Sequence, residues 1–443
     1  MRAIVFLMLQ YAGLIGGSLA LAWVARRTFG ARVFWALAAG LSVSMAAAVF
    51  LLTNPWPPHT DFTVAYRAAG AAVLASPQSI EPLLKVGVAG GFVNLPVVAY
   101  VFVPFALLPE EISVWAFFGL GIVAIVAAWW IASNLYALSM LERGIGLLLV
   151  ASFGPLINSL RHGNSTHFIL LLLVLAIAAL RSRRELWAGV LFGLAALIKP
   201  PLLLLGAYAL FRRRWEMVLG AVIVIAGAAA LSLAIFGWDI HVVWYEYNLS
   251  RFSSEPLAIV NTHSFISVLA RLLYGYEVMH DIAPVALPGW LRYVSLALVA
   301  IVALISLWAV APWRRWRVGE AEFEADVALI IMFILLASTL TWLHYYSWAL
   351  LPILWLWVQL RGETAVGPRH WLLGAAVLLC VPGWVRWNPP EVIGPLMPAI
   401  FAYLLLAGLV LFGLIAWYRR RLGNSLPATA PFGPADASAI GNR

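Results

Sequence analysis

Charge is scarce in this chain. Asp, Glu, Lys and Arg make up 11% of its 443 residues, against about 25% in soluble domains. Hydrophobic residues make up 64%. Cysteine is nearly absent: Cys380 stands alone, so an internal disulfide and a thiolate metal cluster are both excluded. Strict apolar–polar alternation is missing too, which excludes a β-barrel. The sequence has no Walker loop, no dinucleotide-binding glycine pattern and no HExxH. It also has no Asp-x-Asp pair, so spacing gives no support for a dedicated metal site.

What the chain does have is apolar runs of about 18 residues or more, repeated from end to end. Backbone groups in such runs must be satisfied within the run, so they are helices. The expected class is an all-α polytopic membrane protein. The first run, Ala3 to Val24, is long and aromatic and lacks a small-residue cleavage pattern, so it reads as a retained span. One transmembrane domain is expected over 1–421. A tail rich in Pro, Ala, Ser and Gly follows over 422–443 and reads as disordered and cytoplasmic.

The net charge of +9 does not imply nucleic acid. The basic residues sit in short clusters between apolar runs: "RRTFGAR", "RSRR", "FRRRW", "WRRWR" and "YRRRL". That is the pattern of cytoplasmic loops beside an anionic leaflet. With these clusters inside, span 33–52 runs outward and delivers "NPWPPHTDFTVAYRAAG" to the outer side. "LERG" is assigned inside, and "LINSLRHGN" is an outer turn between spans 145–158 and 165–180.

Two segments must enter and return. "LWAGVLFGLAALIKPPLLLLGAYAL" has basic clusters on both flanks, so "KPP" is its apex. Each arm spans roughly 18–20 Å, short of a 30 Å core, which sets Lys199 deep. The run 327–360 is too long for one crossing and folds back near "TWLHYYS", with His344 at its apex. Span 217–236 leads to a long outer loop, 237–290. Spans 291–311, 371–386 and 396–417 complete the bundle. Parity requires 95–108 to be re-entrant or to lie on the outer surface.

On this plan the unusual polar residues gather on the outer side: Asp61, Arg161, His162, Asn164, Lys199 and His344. Asp61 is a candidate general base and equally a candidate helix N-cap. A helix from Phe62 puts Phe62, Tyr66, Ala69 and Val73 on one face and Thr63, Arg67 and Gly70 on another, as in an interfacial helix. A lysine near mid-bilayer costs about 2.5–3.5 kcal/mol, so Lys199 calls for a partner such as an anionic ligand, or else snorkels. His344 is a candidate in an aromatic belt. His59 beside Asp61, and Arg251 and His263 in the long loop, are further candidates. Asp239, Glu246, Glu255 and Asp281 read as solvated loop residues. Glu110 and Glu111 read as a helix start.

These residues carry a resemblance. "TDFTVAYRAAGAAVLA" resembles the Asp-Phe-x-x-x-Tyr-x-Ala-Ala stretch of the glycosyltransferase family 87 enzymes of the GT-C superfamily. "FVNLPVVAYVFVPFALLP" resembles their Tyr-Pro-Pro stretch. "RHGNSTHFILLLLVLAIAALRSRRELWAGVLFGLAALIKPPLLLL" is similar to their Gly-Gln span and Leu-Lys-Pro hairpin, and "HYYSWALLP" to their late His-Tyr-Tyr segment. The matches run in family order from about residue 60 to 355. Asn94-Leu95-Pro96 stands where the family has Tyr-Pro-Pro, and Gly163-Asn164 where it has Gly-Gln.

The resemblance implies a GT-C-type helical bundle with juxtamembrane helices on the outer side. It implies an inner-membrane, multi-pass transferase, typically a mannosyltransferase, with its active site on the outer face. The donor would be a polyprenyl-phosphate sugar serving as co-substrate, with no further cofactor, and the acceptor a glycolipid or glycan. Asp61 would be the general base. Lys199, His344 and Arg251 would bind the donor phosphate. His59, Tyr66, Asn164, His263 and Tyr345 would contact substrate. The competing reading is a transporter or flippase of a lipid-linked sugar, which should show midplane charges and internal repeats.

Overall fold

The computed structural model describes all residues except 1, 28–29, 53–59, 88–89, 251–255, 281, 312–317, 384–393 and 426–443. His59 and Arg251 therefore lie outside the described residues, as do Glu255, Asp281 and most of the tail. Helices dominate, and the extended pairing among the described residues is confined to two isolated bridges. The main helices are α1 Arg2–Ala25, α2 Gly30–Leu52, α3 Phe62–Ala75, α4 Pro96–Ala106, α5 Glu110–Leu135, α6 Met140–Ser152 and α7 Gly154–His162. Then come α8 Thr166–Arg181, α9 Glu185–Ile198, α10 Leu203–Phe211, α11 Trp215–Trp244 and α12 Phe265–Tyr274. The last are α13 Gly289–Val310, α14 Glu320–Ala337, α15 Leu350–Leu360, α16 Pro368–Cys380 and α17 Tyr403–Ser425. Among the described residues six helices are long and apolar enough to cross a bilayer, and α6 with α7, bent by 50°, would be a seventh if the pair is one broken span.

Basic residues of "RSRR", "FRRRW" and "YRRRL" meet at one end of the bundle; "WRRWR" lies outside the described residues. Arg181 at the end of α8 pairs with Glu324 of α14 and donates to the Leu135 carbonyl that ends α5. Arg212, just past α10, pairs with Asp326 at 3.3 Å. Arg419 of α17 pairs with the same carboxylate and with Glu322. Tyr208 donates a hydrogen bond to Asp326 as well. Arg361, past α15, holds Glu142 of α6 at 3.2 Å. Arg212, Asp326 and Arg419 are all fully buried. Glu322, Glu324 and Asp326 of "GEAEFEAD" are therefore internal counter-ions of the arginines.

This end explains both hairpins. Arg214, before α11, pairs with Glu185 at the start of α9. The α9–α10 segment thus leaves and returns at one end, with Lys199 at its far point. The 14 residues of α9 put that point about 21 Å away. The hairpin is held by direct backbone contact with α11. A Cβ on Gly189 would lie 1.9 Å from the Met217 carbonyl oxygen, and one on Gly220 2.1 Å from that of Leu186. The second hairpin is α14–α15, whose apex holds a 3₁₀ turn from Leu343 to Ala349.

At the opposite end the expected face of α3 is buried: Phe62, Tyr66, Ala69 and Val73 all pack inward. Phe62 stacks on Phe117 of α5 with ring centroids 4.4 Å apart, and Tyr66 on Phe102 of α4 at 4.7 Å. Gly70 is buried with them, because a Cβ there would meet the Phe102 backbone at 2.6 Å. The α4 segment is too short to cross and packs on α3, in line with the parity requirement.

Four expectations change. Asp61 is not an N-cap: its backbone is already helical and its side chain caps nothing. The "LINSLRHGN" turn is helical through His162, so the reversal is confined to 163–165. Loop 237–290 is partly helical. Gly237, at φ 74° and ψ 174°, kinks α11 but does not end it, and α12 lies within the former loop. Finally, α17 continues to Ser425, past the expected start of the tail.

Candidate active site

Gly163 shapes the site. It ends α7 in the left-handed region, at φ 64° and ψ 34°, a conformation that only glycine adopts cheaply. The Asn164 N–H then closes on the Ser159 carbonyl at 2.8 Å. This turn aims the Asn164 amide at α3, where its Nδ2 donates to Asp61 Oδ2 at 2.8 Å. Thr166 Oγ1 donates to Asn164 Oδ1 at 2.6 Å, which fixes the amide orientation. No described residue donates to Oδ1 of Asp61. The carboxylate is thus oriented through one oxygen and open at the other.

The neighbouring turns tighten this contact. Thr60 Oγ1 is 3.2 Å from His162 Nδ1, and Tyr66 OH is 3.2 Å from Ser165 Oγ. Ser159 Oγ donates to the Asn164 carbonyl and lies 2.9 Å from His167 Nδ1. His167 is buried and held by this contact. Its Nε2 has no partner and faces Gly121, where a Cβ would come within 2.5 Å. His167 is therefore a packed part of the scaffold.

Lys199 reaches the same region from the α9–α10 hairpin. The proline that follows it disfavours helical backbone, and Lys199 takes φ −130° and ψ 91°, ending α9. Its side chain is buried, and Nζ sits 4.6 Å from the ring centroid of Tyr345. No carboxylate among the described residues pairs with it. A desolvated cation–π contact is worth about 2 kcal/mol, below the cost of about 2.5–3.5 kcal/mol for placing lysine in a membrane. An anion beside Nζ would supply the remainder.

His344 and Tyr345 come from the α14–α15 apex. Tyr345 stacks on Trp348, whose indole N–H donates to the Thr166 carbonyl at 3.4 Å. This bond connects the apex to the start of α8. His344 is buried, lies parallel to Trp342 with ring centroids 6.2 Å apart, and keeps Nε2 without a partner. Burial first, then the positive charge of Lys199, pushes its pKa down. Both causes favour the neutral imidazole, whose single N–H can donate to a phosphate oxygen.

Asp61, Tyr66, Asn164, Lys199, His344 and Tyr345 thus come together, from four segments of the chain. His263 does not join them. It is fully buried, its ring packs on Tyr346 and Tyr403, and its nearest charge is Arg271. Asp239 and Glu246 are exposed, as expected of solvated residues. The anchoring roles of Ser159, Ser165, Thr166 and His167 were missed from sequence. Their signal was the density of polar residues in "NSLRHGNSTH". Among the described residues no group of three or more His, Cys, Asp or Glu is arranged to hold a metal ion.

A family model described as glycosyltransferase family 87 matches residues 92–339. That span contains Asn164 and Lys199; Asp61 and His344 lie outside it. The chain is similar to a polyprenol-phosphate-mannose-dependent alpha-(1-2)-phosphatidylinositol pentamannoside mannosyltransferase of Mycolicibacterium smegmatis. They share 26% identity over 68% of this chain and 70% of the relative. It is similar to an alpha-(1->3)-arabinofuranosyltransferase of Mycobacterium tuberculosis, at 25% identity over 64% of this chain and 62% of the relative. A polyprenol-phosphate-mannose-dependent alpha-(1-2)-phosphatidylinositol mannoside mannosyltransferase of M. smegmatis shares 31% identity over 41% of this chain and 40% of the relative. No solved structure matches.

Proposed function

The chain belongs to glycosyltransferase family 87, and from that membership we propose that this membrane glycosyltransferase moves mannose from a polyprenyl-phosphate donor to a glycolipid or glycan hydroxyl. The observation that carries the reading is the pairing of an oriented carboxylate with a buried, carboxylate-free lysine. Asp61 is held by Asn164 at 2.8 Å, and Lys199 lies against Tyr345 at the same end of the bundle.

In the reaction, Asp61 Oδ1 accepts the proton of the acceptor hydroxyl as that oxygen attacks the anomeric carbon. The bond from that carbon to the phosphate oxygen breaks, and its electron pair leaves with the polyprenyl phosphate. Lys199 Nζ and the His344 ring meet the growing negative charge in a partly dry site. Attack opposite the leaving group inverts the anomeric centre. Tyr66 and Tyr345 line the sugar's approach. The transporter reading is weaker, because these groups gather at one end of the bundle instead of at the middle of repeated halves.

Membranes holding the protein should transfer radiolabel from polyprenyl-phosphate-mannose to a new product in a native lipid extract. Label transferred only from a polyprenyl-phosphate-arabinofuranose donor would keep the enzyme class and correct the sugar. No transfer from either donor would overturn the proposal. Lys199→Ala should raise the donor KM about tenfold or more, because a charged hydrogen bond contributes about 1.5–3 kcal/mol. An unchanged donor KM would reduce Lys199 to an anchor.

The site is assigned to the non-cytoplasmic face of the cytoplasmic membrane. The basis is the crowd of arginines at the other end of the bundle, which the positive-inside rule sets in the cytoplasm. A cysteine introduced at Glu277, exposed between α12 and α13, should react with an impermeant maleimide in intact cells. Reaction only after the membrane is opened would invert the topology.

A further inference from the structure

A cleft of about 200 Å³ lies between α12, the first turns of α13 and the end of α14. At roughly 30 Å³ per water, it would hold several molecules. Its lining is poorly suited to water, because most of the wall is apolar, with Phe265, Ile266, Leu296, Val299 and Leu336 among its residues. One charged residue, Arg292, lines it. Arg292 is exposed, and no carboxylate among the described residues pairs with it.

The depth of the cleft in the membrane follows from α13. Arg420 donates to the Trp308 carbonyl, so the C-terminal end of α13 lies at the arginine-rich end of the bundle. Its N-terminal end lies opposite and carries Trp290 and Tyr293, 57% and 74% exposed. Outward aromatic residues of this kind mark the headgroup level. Arg292 sits between them in sequence, and the apolar wall extends from it toward the hydrocarbon.

We propose that this cleft seats one acyl chain of a membrane phospholipid, with Arg292 paired to the lipid phosphate. The site is separate from the Asp61–Lys199 centre but shares a segment with it. The floor of the cleft includes Ser338 and Thr339. The Thr339 carbonyl accepts from Ser264 Oγ at 3.0 Å, and the Thr341 carbonyl accepts from the His263 N–H at 2.7 Å. Trp342, bridged to Thr262, then lies against His344. A seated lipid therefore packs on the strand of chain that carries His344.

The test needs no transfer activity, so it stands or falls apart from the proposed reaction. Purified full-length protein in maltoside is given phosphatidylglycerol with a photoreactive group midway along one chain, and labelled peptides are mapped. Labelling concentrated on 265–266, 295–299 and 336–339 is expected. Arg292→Gln should lower it about tenfold, and a photoreactive diacylglycerol without phosphate should label as weakly. Val299→Trp, which fills the cleft and leaves Arg292 in place, should remove the label. Melting curves of both variants show whether each is folded. Labelling spread evenly over the lipid-facing helices overturns the site. Inorganic phosphate that suppresses labelling as well as unlabelled lipid does overturns the lipid assignment.

Discussion

Asp61→Asn is expected to lower the rate of sugar transfer by about 10²- to 10⁴-fold, the usual contribution of a positioned general base. The substitution keeps size and shape, and asparagine can still accept the Asn164 hydrogen bond through its carbonyl oxygen. It cannot take the acceptor's proton. The protein should therefore insert and purify normally while turnover is lost. Asn164→Ala gives the informative contrast. It leaves the carboxylate but releases it from the 2.8 Å contact, so the loss should be smaller and should fall mainly on kcat. Initial rates at matched protein levels, with size-exclusion profiles for all three proteins, make the comparison. Near-native turnover by Asp61→Asn would end the assignment.

The second large effect concerns stability at the opposite end. Asp326 is fully buried between Arg212 and Arg419. Replacing it with alanine leaves two buried guanidinium groups facing each other without their shared counter-ion. Removing one partner of such a group costs about 3–5 kcal/mol. Asp326→Ala should therefore melt well below the native protein in detergent, or fail to accumulate. Glu324→Gln should cost less, because its partner Arg181 is about a third exposed at the side chain. The fourfold exchange Arg212→Met, Glu322→Gln, Asp326→Leu, Arg419→Met removes all four charges of the cluster, Glu322 included, and should recover much of the loss. A melting temperature unchanged in Asp326→Ala would mean that water reaches this cluster and that it holds little of the fold together.

The architecture was legible wherever a single physical effect decides it. Hydrophobic length and arginine position gave the six long spans, the two hairpins with Lys199 and His344 at their apices, and the buried face of α3; the expected spans 165–180 and 371–386 hold helices of only 16 and 13 residues. Particular contacts were not legible. Asp61 looked like a helix cap because Asp at the start of an apolar run usually is one. The backbone is instead already helical at Thr60 and Asp61, and tertiary contact with Asn164 decides what the side chain does. The ion cluster was missed for a related reason. Charge counting assigns "GEAEFEAD" to a side of the membrane, but only packing shows that Asp326 lies between arginines 114 and 93 residues away in the chain. His263 drew notice as a histidine in an aromatic loop, yet it packs with Tyr346 and Tyr403 away from the carboxylate.

The short α9–α10 hairpin also constrains how the protein is made. Neither arm is long enough to settle across a bilayer by itself, and its apex carries a lysine. Its close partner is α11, met backbone to backbone at Gly189 and Gly220, and α11 is synthesised afterwards. The emerging hairpin must therefore wait, sheltered by the insertion machinery or held at the membrane surface, until α11 arrives. Only then can it enter the membrane together with that helix. Biogenesis here is a delayed, concerted step, and a bulky residue at Gly189 would strand the chain at that stage before any question of catalysis arose.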